Sequence, residues 1–364
     1  MTELDSLDFR ADLMSGDTVA GHIVSHHVEP VCAELLPLCF VHGGDVADWL
    51  EHRAIDTHRT HSRLLKKALR LKERDDIATA LHFNAATITD NYWVRPQGSA
   101  LCWQDVRFRE NDFADLALSG RLEDFSKQPS RTPELTNTGS FEKCWRFEDG
   151  AWWMYKAGSE AERFSELFVA ALCRTLRFAT AQYESCPPYI RTRDFTGGEL
   201  NFEPAAYLVG DDEDYVLNYD TFLQYGQEIA DQYVELLLMD TICRNVDRHT
   251  YNYGLLRDQK TGAVLRLAPN FDNNIALISG GLDNGPRKPD LLTELLDAFE
   301  HETQAISGYA ARHGLPCVTA KAIENCCDAT GMDAPRAYVR EFVLAGYRMT
   351  PVPALRADLG LRDE

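Results

Sequence analysis

The chain has 364 residues, 45% of them hydrophobic, and a formal net charge of −20 at pH 7. This length allows two domains, or one two-lobed domain with an appendage, and a sizeable buried core. The negative charge argues against nucleic acid or an anionic membrane as a main partner, because both attract basic surfaces. The apolar runs are shorter than the roughly 20 residues of a membrane span, and the N-terminus is acidic, so we expect a cytoplasmic protein.

Ten cysteines are present, and no two of them form a C-x-x-C pair. Several lie within apolar stretches, among them Cys102, Cys144, Cys173 and Cys243. We therefore predict reduced thiols in the core rather than disulfides.

The N-terminal part of the chain mixes strand and helix patterns. The first 40 residues contain two strand-like segments, "DTVAGHIVSHHVEPV" and "AELLPLCFV". From Asp45 to His82 apolar residues recur at three- and four-residue spacing, which predicts helices. The next stretch, "ITDNYWVRPQGSALCWQDVRF", is aromatic and is expected to be irregular. Ser119 to Ser140 is rich in Ser, Thr and Pro, and we place a linker or mobile loop and the main boundary there.

Strands and helices alternate beyond this boundary. The segments "FEKCWRF" and "AWWMYKAG" predict a hairpin around a turn at 148–150. The helical pattern "EAERFSELFVAALCRTLRF" follows the hairpin. Two further strand-like pieces come next, "PPYIRTRDF" and "NFEPAAYLVG".

The last third of the chain is predicted to be mainly helical. "EIADQYVELLLMDTICRN" predicts a largely buried helix, and two short strands follow it around a turn at 259–262. Residues 290–355 are expected to form helices. Taken together, these elements predict a mixed α+β protein.

The segment "RNVDRHTYNYGLL", which follows the buried helix, crowds short polar side chains between two apolar stretches. Phosphoryl transfer needs Mg²⁺ ligands, a cation on the phosphate oxygens and a carboxylate aimed at the attacking hydroxyl. Asp247 is the candidate base, and Asn252 and Asp272 are the candidate Mg²⁺ ligands, since Mg²⁺ prefers few protein oxygens. The spacing from Asp247 to Asn252 equals that of the catalytic loop of protein kinases.

The predicted hairpin supplies candidates for binding the phosphates of ATP. Gly139 and Ser140 lie at its start, where a glycine lets backbone amides approach phosphate closely. Lys156 ends the second strand and is the candidate cation, with Lys143 as a second one. Glu166, near the start of the next helix, is the candidate ion-pair partner of Lys156.

Each of these residues also has an ordinary structural interpretation. Asp247 alone could cap a turn at the helix end, and Lys143 could be a solvated strand residue. Arg248 and His249 are expected to support the structure of the loop. The joint pattern of a lysine, a base and two metal ligands favours the functional interpretation.

These residues resemble the motifs of the HipA-like kinases, which are bacterial serine/threonine kinases with a two-lobed, kinase-like fold. The segments that carry the resemblance are "GSFEKCWRF", "WWMYKAG", "NVDRHTYNYGLL" and "LRLAPNFDNNIAL". The resemblance covers most of the chain and is best between Thr136 and Leu277. It implies a small β-rich lobe and a larger helical lobe, preceded here by a mixed N-terminal accessory region.

The resemblance also implies roles for the site residues. Asp247 would be the catalytic base, Asn252 and Asp272 would hold Mg²⁺, and Lys156 would contact the ATP phosphates. The family's phosphate loop matches Gly139 to Lys143. Some members phosphorylate a serine in that loop, and the matching position is Thr136, with Ser140 close by.

The sequence departs from the family at two points. The phosphate loop has one glycine instead of several, and the N-terminal region differs from the toxin-type subdomain of the family. An antitoxin-type partner and a toxin role therefore stay open. We predict an accessory region at 1–125, an N-lobe at 126–215 and a C-lobe at 216–364.

The leading hypothesis is an ATP- and Mg²⁺-dependent kinase that phosphorylates Ser or Thr of a protein, with itself as one candidate substrate. A second hypothesis keeps the chemistry but changes the acceptor to a small alcohol, a lipid headgroup or a peptide. A third is a non-catalytic, nucleotide-binding pseudokinase module. A metal-dependent hydrolase that uses Asp247 and His249 is disfavoured, because it lacks a third ligand at usable spacing.

Overall fold

The structure is a computed structural model that describes residues 9–55, 65–66, 76–120, 131–136, 142–280, 286–358 and 360. The chain divides into two compact units. The first unit comprises Met1–Ala157, Pro188–Glu203 and Leu256–Leu265, and the second comprises Gly158–Pro187, Pro204–Leu255 and Arg266–Glu364.

An antiparallel sheet forms the N-terminal part of the first unit. Its strands are β1 (Arg10–Ser15), β2 (Thr18–Val24), β3 (His27–Pro30) and β4 (Tyr92–Pro96), and their order is β3-β2-β1-β4. Leu13, Met14 and Trp93 are fully buried on these strands. Short helices accompany this sheet: α1 (Leu38–Val41), α2 (Val46–Glu51), α3 (Asp76–His82), α4 (Trp103–Val106) and α5 (Ala114–Ser119).

The predicted hairpin is confirmed as strands β5 (Lys143–Glu148) and β6 (Ala151–Lys156). Asp149 and Gly150 connect them with φ angles of 51° and 79°. Two positive φ angles in a two-residue loop are what a type I′ turn requires, and Asp-Gly provides them at low cost. The hairpin belongs to a sheet of order β5-β6-β8-β7, with β7 at Tyr183–Cys186 and β8 at Tyr189–Arg193.

Two long helices dominate the second unit. The predicted helix after the hairpin is confirmed as α6 (Glu160–Leu176), which begins with a capping box between Ser159 and Glu162. The helices α7 (Ala206–Val209) and α8 (Tyr215–Leu223) precede the second long helix, α9 (Gln227–Cys243). Helix α9 is buried on nearly all sides, as its apolar sequence predicts, and Arg244 ends it in a left-handed conformation with φ 55°.

The remaining elements are a small sheet and a series of helices. Strands β9 (Leu200–Pro204), β10 (Gly254–Asp258) and β11 (Val264–Leu267) form a sheet of order β11-β10-β9. The predicted helical region consists of α10 (Leu291–Thr303), α11 (Ala305–His313), α12 (Ala320–Thr330), α13 (Arg336–Met349) and α14 (Val352–Asp358). The α+β class is therefore confirmed, whereas the predicted three-part division of the chain stays a prediction.

Two local expectations for the N-terminal half are wrong. The segment 33–41 is not a strand but a 3₁₀ turn followed by α1, because Pro37 introduces the helix and the Leu38 N–H donates to the buried carboxylate of Glu203 at 2.6 Å. The stretch 88–108 is not irregular, since it contains β4 and α4. Antiparallel pairing with β1 holds strand β4 in the sheet.

Two further expectations fail at the linker and after β9. Part of the Ser119–Ser140 segment is packed, because Glu134 is fully buried and accepts hydrogen bonds from Asn111 and from the Trp145 N–H. The segment after β9 turns into α7 instead of continuing as strand. The predicted helix at 61–73 lies almost entirely outside the described residues.

Over the described ranges, no helix is long and apolar enough to span a bilayer. All ten cysteines are free thiols. Burial raises the pKa of Cys173 and of Cys243 above the ordinary thiol range, which favours their neutral forms.

Candidate active site

Helix α9 delivers the polar loop to the second unit. Asp240 lies in its last turn with 2% of its surface exposed. The Asn245 N–H donates to the Asp240 carbonyl at 2.9 Å, and the Asn245 side chain donates to the Asp240 carboxylate at 3.3 Å. These bonds turn the chain directly after Arg244, so that the loop begins at a fixed point.

Asp247 occupies an exposed position in this loop. Its N–H donates to the Asn245 side-chain oxygen at 3.3 Å, and its carbonyl accepts from the Asn252 side chain at 3.1 Å. Partial desolvation raises the pKa of Asp247, His249 opposes this shift, and the negative charge of Asp272 adds to it. The carboxylates of Asp247 and Asp272 are therefore close enough to repel each other.

Asn252 is buried, with 6% of its surface exposed. Its side-chain N–H₂ donates to the Asp247 carbonyl at 3.1 Å. Among the described residues, the Oδ1 atom of Asn252 has no hydrogen-bond partner, so this oxygen is available to a cation. The short D-x-x-x-x-N loop thus places a carboxylate and an amide oxygen at one site.

Asp272 adopts a left-handed backbone conformation with φ 60°. This conformation is uncommon outside glycine, although Asp and Asn tolerate it better than other residues. The Asp272 N–H donates to the Tyr183 hydroxyl at 3.1 Å. The next N–H, of Asn273, donates to the Glu166 carboxylate at 2.9 Å.

Glu166 therefore lies beside the predicted metal-binding segment. It is fully buried on α6, and its Oε2 atom accepts the hydrogen bond from Asn273. The structure thus brings Glu166 together with Asp247, Asn252 and Asp272 in the second unit. The predicted ion pair of Glu166 with Lys156 stays a prediction.

Arg248 contributes more than the loop support expected from the sequence. Its guanidinium forms a bidentate ion pair with Asp240, with distances of 2.8 Å from Nε and 2.9 Å from an Nη atom. Its other hydrogen bonds reach Asn252, Asn270, Phe271 and Asn273. The sequence gives no signal for this network, because most of these partners follow Arg248 at a distance of more than 20 residues.

His249 has a local structural role. The Tyr251 N–H donates to the Nδ1 atom of His249 at 3.3 Å, and the two rings lie 6.2 Å apart. This contact supports the turn between Asp247 and Asn252, in agreement with the expectation for His249.

The two candidate phosphate-binding lysines are direct neighbours in the first unit. Lys143 on β5 pairs in register with Lys156 on β6, so their side chains leave the same face of the hairpin. Two positive side chains therefore share one face of the hairpin. Gly139 and Ser140 lie outside the described residues.

Thr136, a candidate for self-phosphorylation, is described and buried. It has 7% of its surface exposed, and its hydroxyl donates to the Pro133 carbonyl at 2.8 Å. The hydroxyl of Thr136 would have to leave this contact before it could accept a phosphoryl group.

Comparison with known proteins identifies the fold. No family model matches the chain, and no curated protein matches it in sequence. HipA of Shewanella oneidensis MR-1, solved with HipB and its operator DNA, matches with a TM-score of 0.61 at 12% identity, over 96% of this chain and 98% of HipA. This chain has the kinase-like fold of HipA. The proinflammatory kinase CtkA of Helicobacter pylori matches with a TM-score of 0.44 at 14% identity, over 60% of this chain and 95% of CtkA.

The donor set in this HipA-like fold suits Mg²⁺. Asp247, Asn252 and Asp272 offer hard oxygen atoms, and the mutual repulsion of the two carboxylates would be relieved by a divalent cation between or beside them. Within the described ranges, no three His, Cys, Asp or Glu side chains converge as a metal cage. A site with one or two carboxylates is typical of Mg²⁺, which completes its shell with water and phosphate.

Proposed function

We propose that the chain is an ATP- and Mg²⁺-dependent phosphotransferase that acts on Ser or Thr hydroxyls of a protein. The observation that carries this proposal is the convergence of Asp247, Asn252 and Asp272 in the second unit of a HipA-like fold. A kinase-like fold alone does not imply catalysis, but these side chains provide a base and two cation ligands.

Each residue has a defined task in this proposal. Asp247 accepts the proton of the attacking hydroxyl, and Asn252 and Asp272 hold the cation. Mg²⁺, when bound, neutralises charge that develops on the phosphate oxygens. Lys156 and Lys143, which leave the same face of the hairpin, are the proposed cations for the phosphates.

The acceptor is proposed to be a protein. The HipA structure contains HipB and operator DNA. For this chain, the net charge of −20 disfavours DNA, because DNA binding requires a basic surface. We propose a cytoplasmic enzyme without a nucleic-acid partner, and an antitoxin-type partner stays open.

Phosphoryl transfer can be tested directly. Purified protein is incubated with radiolabelled ATP and Mg²⁺, and label on the protein, on added protein substrates and in released ADP is measured. Asp247→Asn should lower the rate by about 10²-fold or more, which is the usual scale of a general-base contribution. Asp220→Asn is a matched control, because Asp220 is an exposed aspartate of the same unit.

The outcomes separate the remaining hypotheses. ADP release that responds to small alcohols or lipids, without protein labelling, would favour the alternative acceptors. Stabilisation by ATP and Mg²⁺ without turnover would favour the pseudokinase. Labelling by the Asp247→Asn variant at the wild-type rate would exclude Asp247 as the base.

A further inference from the structure

All three nitrogen atoms of the Arg248 guanidinium donate hydrogen bonds. Its five N–H groups reach six acceptors, since one Nη atom with two N–H groups contacts three oxygens: two acceptors are carboxylate oxygens of Asp240, two are the backbone carbonyls of Asn252 and Phe271, and two are the side-chain oxygens of Asn270 and Asn273. The Arg248 side chain is 8% exposed and that of Asp240 is 2% exposed. A buried bidentate pair between a guanidinium and a carboxylate fixes the orientation of the arginine side chain and also balances its charge.

These hydrogen bonds join three separate segments. Asp240 belongs to the end of α9, Asn252 closes the loop that carries the proposed base, and residues 270–273 form the segment that carries Asp272. The bond to the Asn252 carbonyl is 2.9 Å and the bond to the Phe271 carbonyl is 2.6 Å, and both come from the same Nη atom. One guanidinium nitrogen therefore sets the spacing between the two proposed metal ligands.

Asp272 is held on both sides of its left-handed backbone. Arg248 binds the carbonyl of the preceding residue, Phe271, and the side chain of the following residue, Asn273, at 2.8 Å. A non-glycine residue keeps positive φ only when its surroundings enforce it. Here Arg248 acts together with the Tyr183 hydroxyl, which accepts from the Asp272 N–H, and the Glu166 carboxylate, which accepts from the Asn273 N–H.

The side-chain amides of Asn270 and Asn273 also contact Arg248. The side chains of Asn270 and Asn273 direct their oxygens to Arg248, and each leaves a buried N–H₂ group without a hydrogen-bond partner in the part of the chain that the structure describes. Buried donors without partners are costly. Arg248 therefore orients the Asn270 amide, and Arg248 orients the Asn273 amide together with the Asn245 side chain, which donates to the same oxygen at 3.3 Å.

We propose that Arg248, supported by Asp240, is a positioning residue for the divalent cation: it holds Asp272 and Asn252 at the separation and orientation that cation binding needs. This inference rests on the proposed function, because it assigns the cation to those two residues. Lysine cannot replace Arg248, since an ammonium is a point donor without the planar fork.

The test measures metal binding rather than activity. Mn²⁺ binding to the full chain is titrated by electron paramagnetic resonance in the presence of a non-hydrolysable ATP analogue. Arg248→Lys should weaken Mn²⁺ binding by about 10- to 100-fold, the usual effect of losing a residue that orients metal ligands. The affinity for the nucleotide analogue without metal should stay the same.

A matched control separates positioning from general destabilisation. Arg53 forms a similar buried fork with Asp90 in the first unit, with 2% and 6% exposure and distances of 2.8 and 2.6 Å. Arg53→Lys should lower the thermal midpoint, as Arg248→Lys does, but leave Mn²⁺ affinity unchanged. If Arg248→Lys does not fold, Asn273→Ala decides, because it removes one Arg248 contact beside Asp272 and keeps the pair with Asp240.

The results discriminate between the two proposals. If the Arg248→Lys variant binds Mn²⁺ within about twofold of the wild type, the positioning role is overturned and the proposed function still stands. If Arg248→Lys does not fold, the same criterion applies to Asn273→Ala. A wild-type chain that binds no Mn²⁺ with the nucleotide analogue overturns both. Weakened binding in the Arg248 variant together with unchanged binding in the Arg53 variant supports the inference.

Discussion

Glu203→Gln is predicted to destabilise the first unit strongly. Glu203 is fully buried at the end of β9, and its carboxylate accepts hydrogen bonds from Arg257 at 2.6 Å, from the Tyr92 hydroxyl at 2.8 Å and from the Leu38 N–H at 2.6 Å. Arg257 is 4% exposed and also donates to backbone carbonyls, among them that of Leu36 at 2.7 Å. The substitution keeps the shape of the side chain but leaves a buried guanidinium without its counter-charge.

The size of the effect follows from this burial. Removing one partner of a buried ion pair costs about 3–5 kcal/mol. For a unit of this size, each kcal/mol lowers the thermal midpoint by about 2–4 °C, so the expected loss is roughly 6–20 °C. The lower half of this range is favoured, because glutamine retains an acceptor oxygen for Leu38 or Tyr92.

Urea and thermal unfolding of the full chain would measure this loss. Asp115→Asn is the control, because the Arg146–Asp115 pair of the same unit is solvent-accessible, with 35% and 86% exposure. An exposed pair contributes about 0–1 kcal/mol, so this variant should unfold close to the wild type. A loss below about 1 kcal/mol for Glu203→Gln would refute the view that the buried pair holds these segments together.

Three further predictions concern cation binding and pH. Asp272→Asn keeps a residue that tolerates positive φ but removes a carboxylate, so ATP with Mg²⁺ should raise the thermal midpoint of this variant less than that of the wild type; an equal shift would contradict the metal role. Because burial and the charge of Asp272 raise the pKa of Asp247 in the metal-free protein, Asp247 should bind a proton above the ordinary aspartate range there, and a carboxylate titration followed by NMR with a midpoint at or below about pH 3.9 would contradict this. Burial raises the pKa of Glu235 to about 7, despite the hydrogen bond from Tyr309, so folded Glu235 prefers its neutral form. The stability that this preference provides should be lost as the pH rises from about 4.5 through 7, and Glu235→Gln should flatten that part of the stability profile measured by urea unfolding; an unchanged profile would contradict the shift.

Local patterns predicted the local parts of the structure. The Asp-Gly turn of the hairpin and the Ser-x-x-Glu capping box of α6 depend on residues within a few positions of each other, so the sequence alone identifies them. The same holds for Asp247 and Asn252, whose relation is fixed within one short loop. The α+β class follows from the alternation of such elements.

Long-range contacts explain what the sequence did not predict. The apolar segment at 33–41 resembles a strand, but a hydrogen bond from Leu38 to Glu203, 165 positions away, favours the helical turn. Glu134 lies in a Ser-, Thr- and Pro-rich stretch that is typical of linkers, yet Asn111 and Trp145 bury it. The Arg248 network likewise depends on residues 270–273, which only the fold brings near.

The saturation of Arg248 has a dynamic consequence. A guanidinium with every donor engaged cannot exchange one partner for another without breaking a bond, so α9, the base-carrying loop and the Asp272 segment should move as a single block. A conformational change that lets a nucleotide enter or a product leave would then have to occur in other segments of the chain. If the whole block opened, the base and the proposed cation ligands would separate. Such an opening should therefore inactivate the protein and should not be a step of the catalytic cycle.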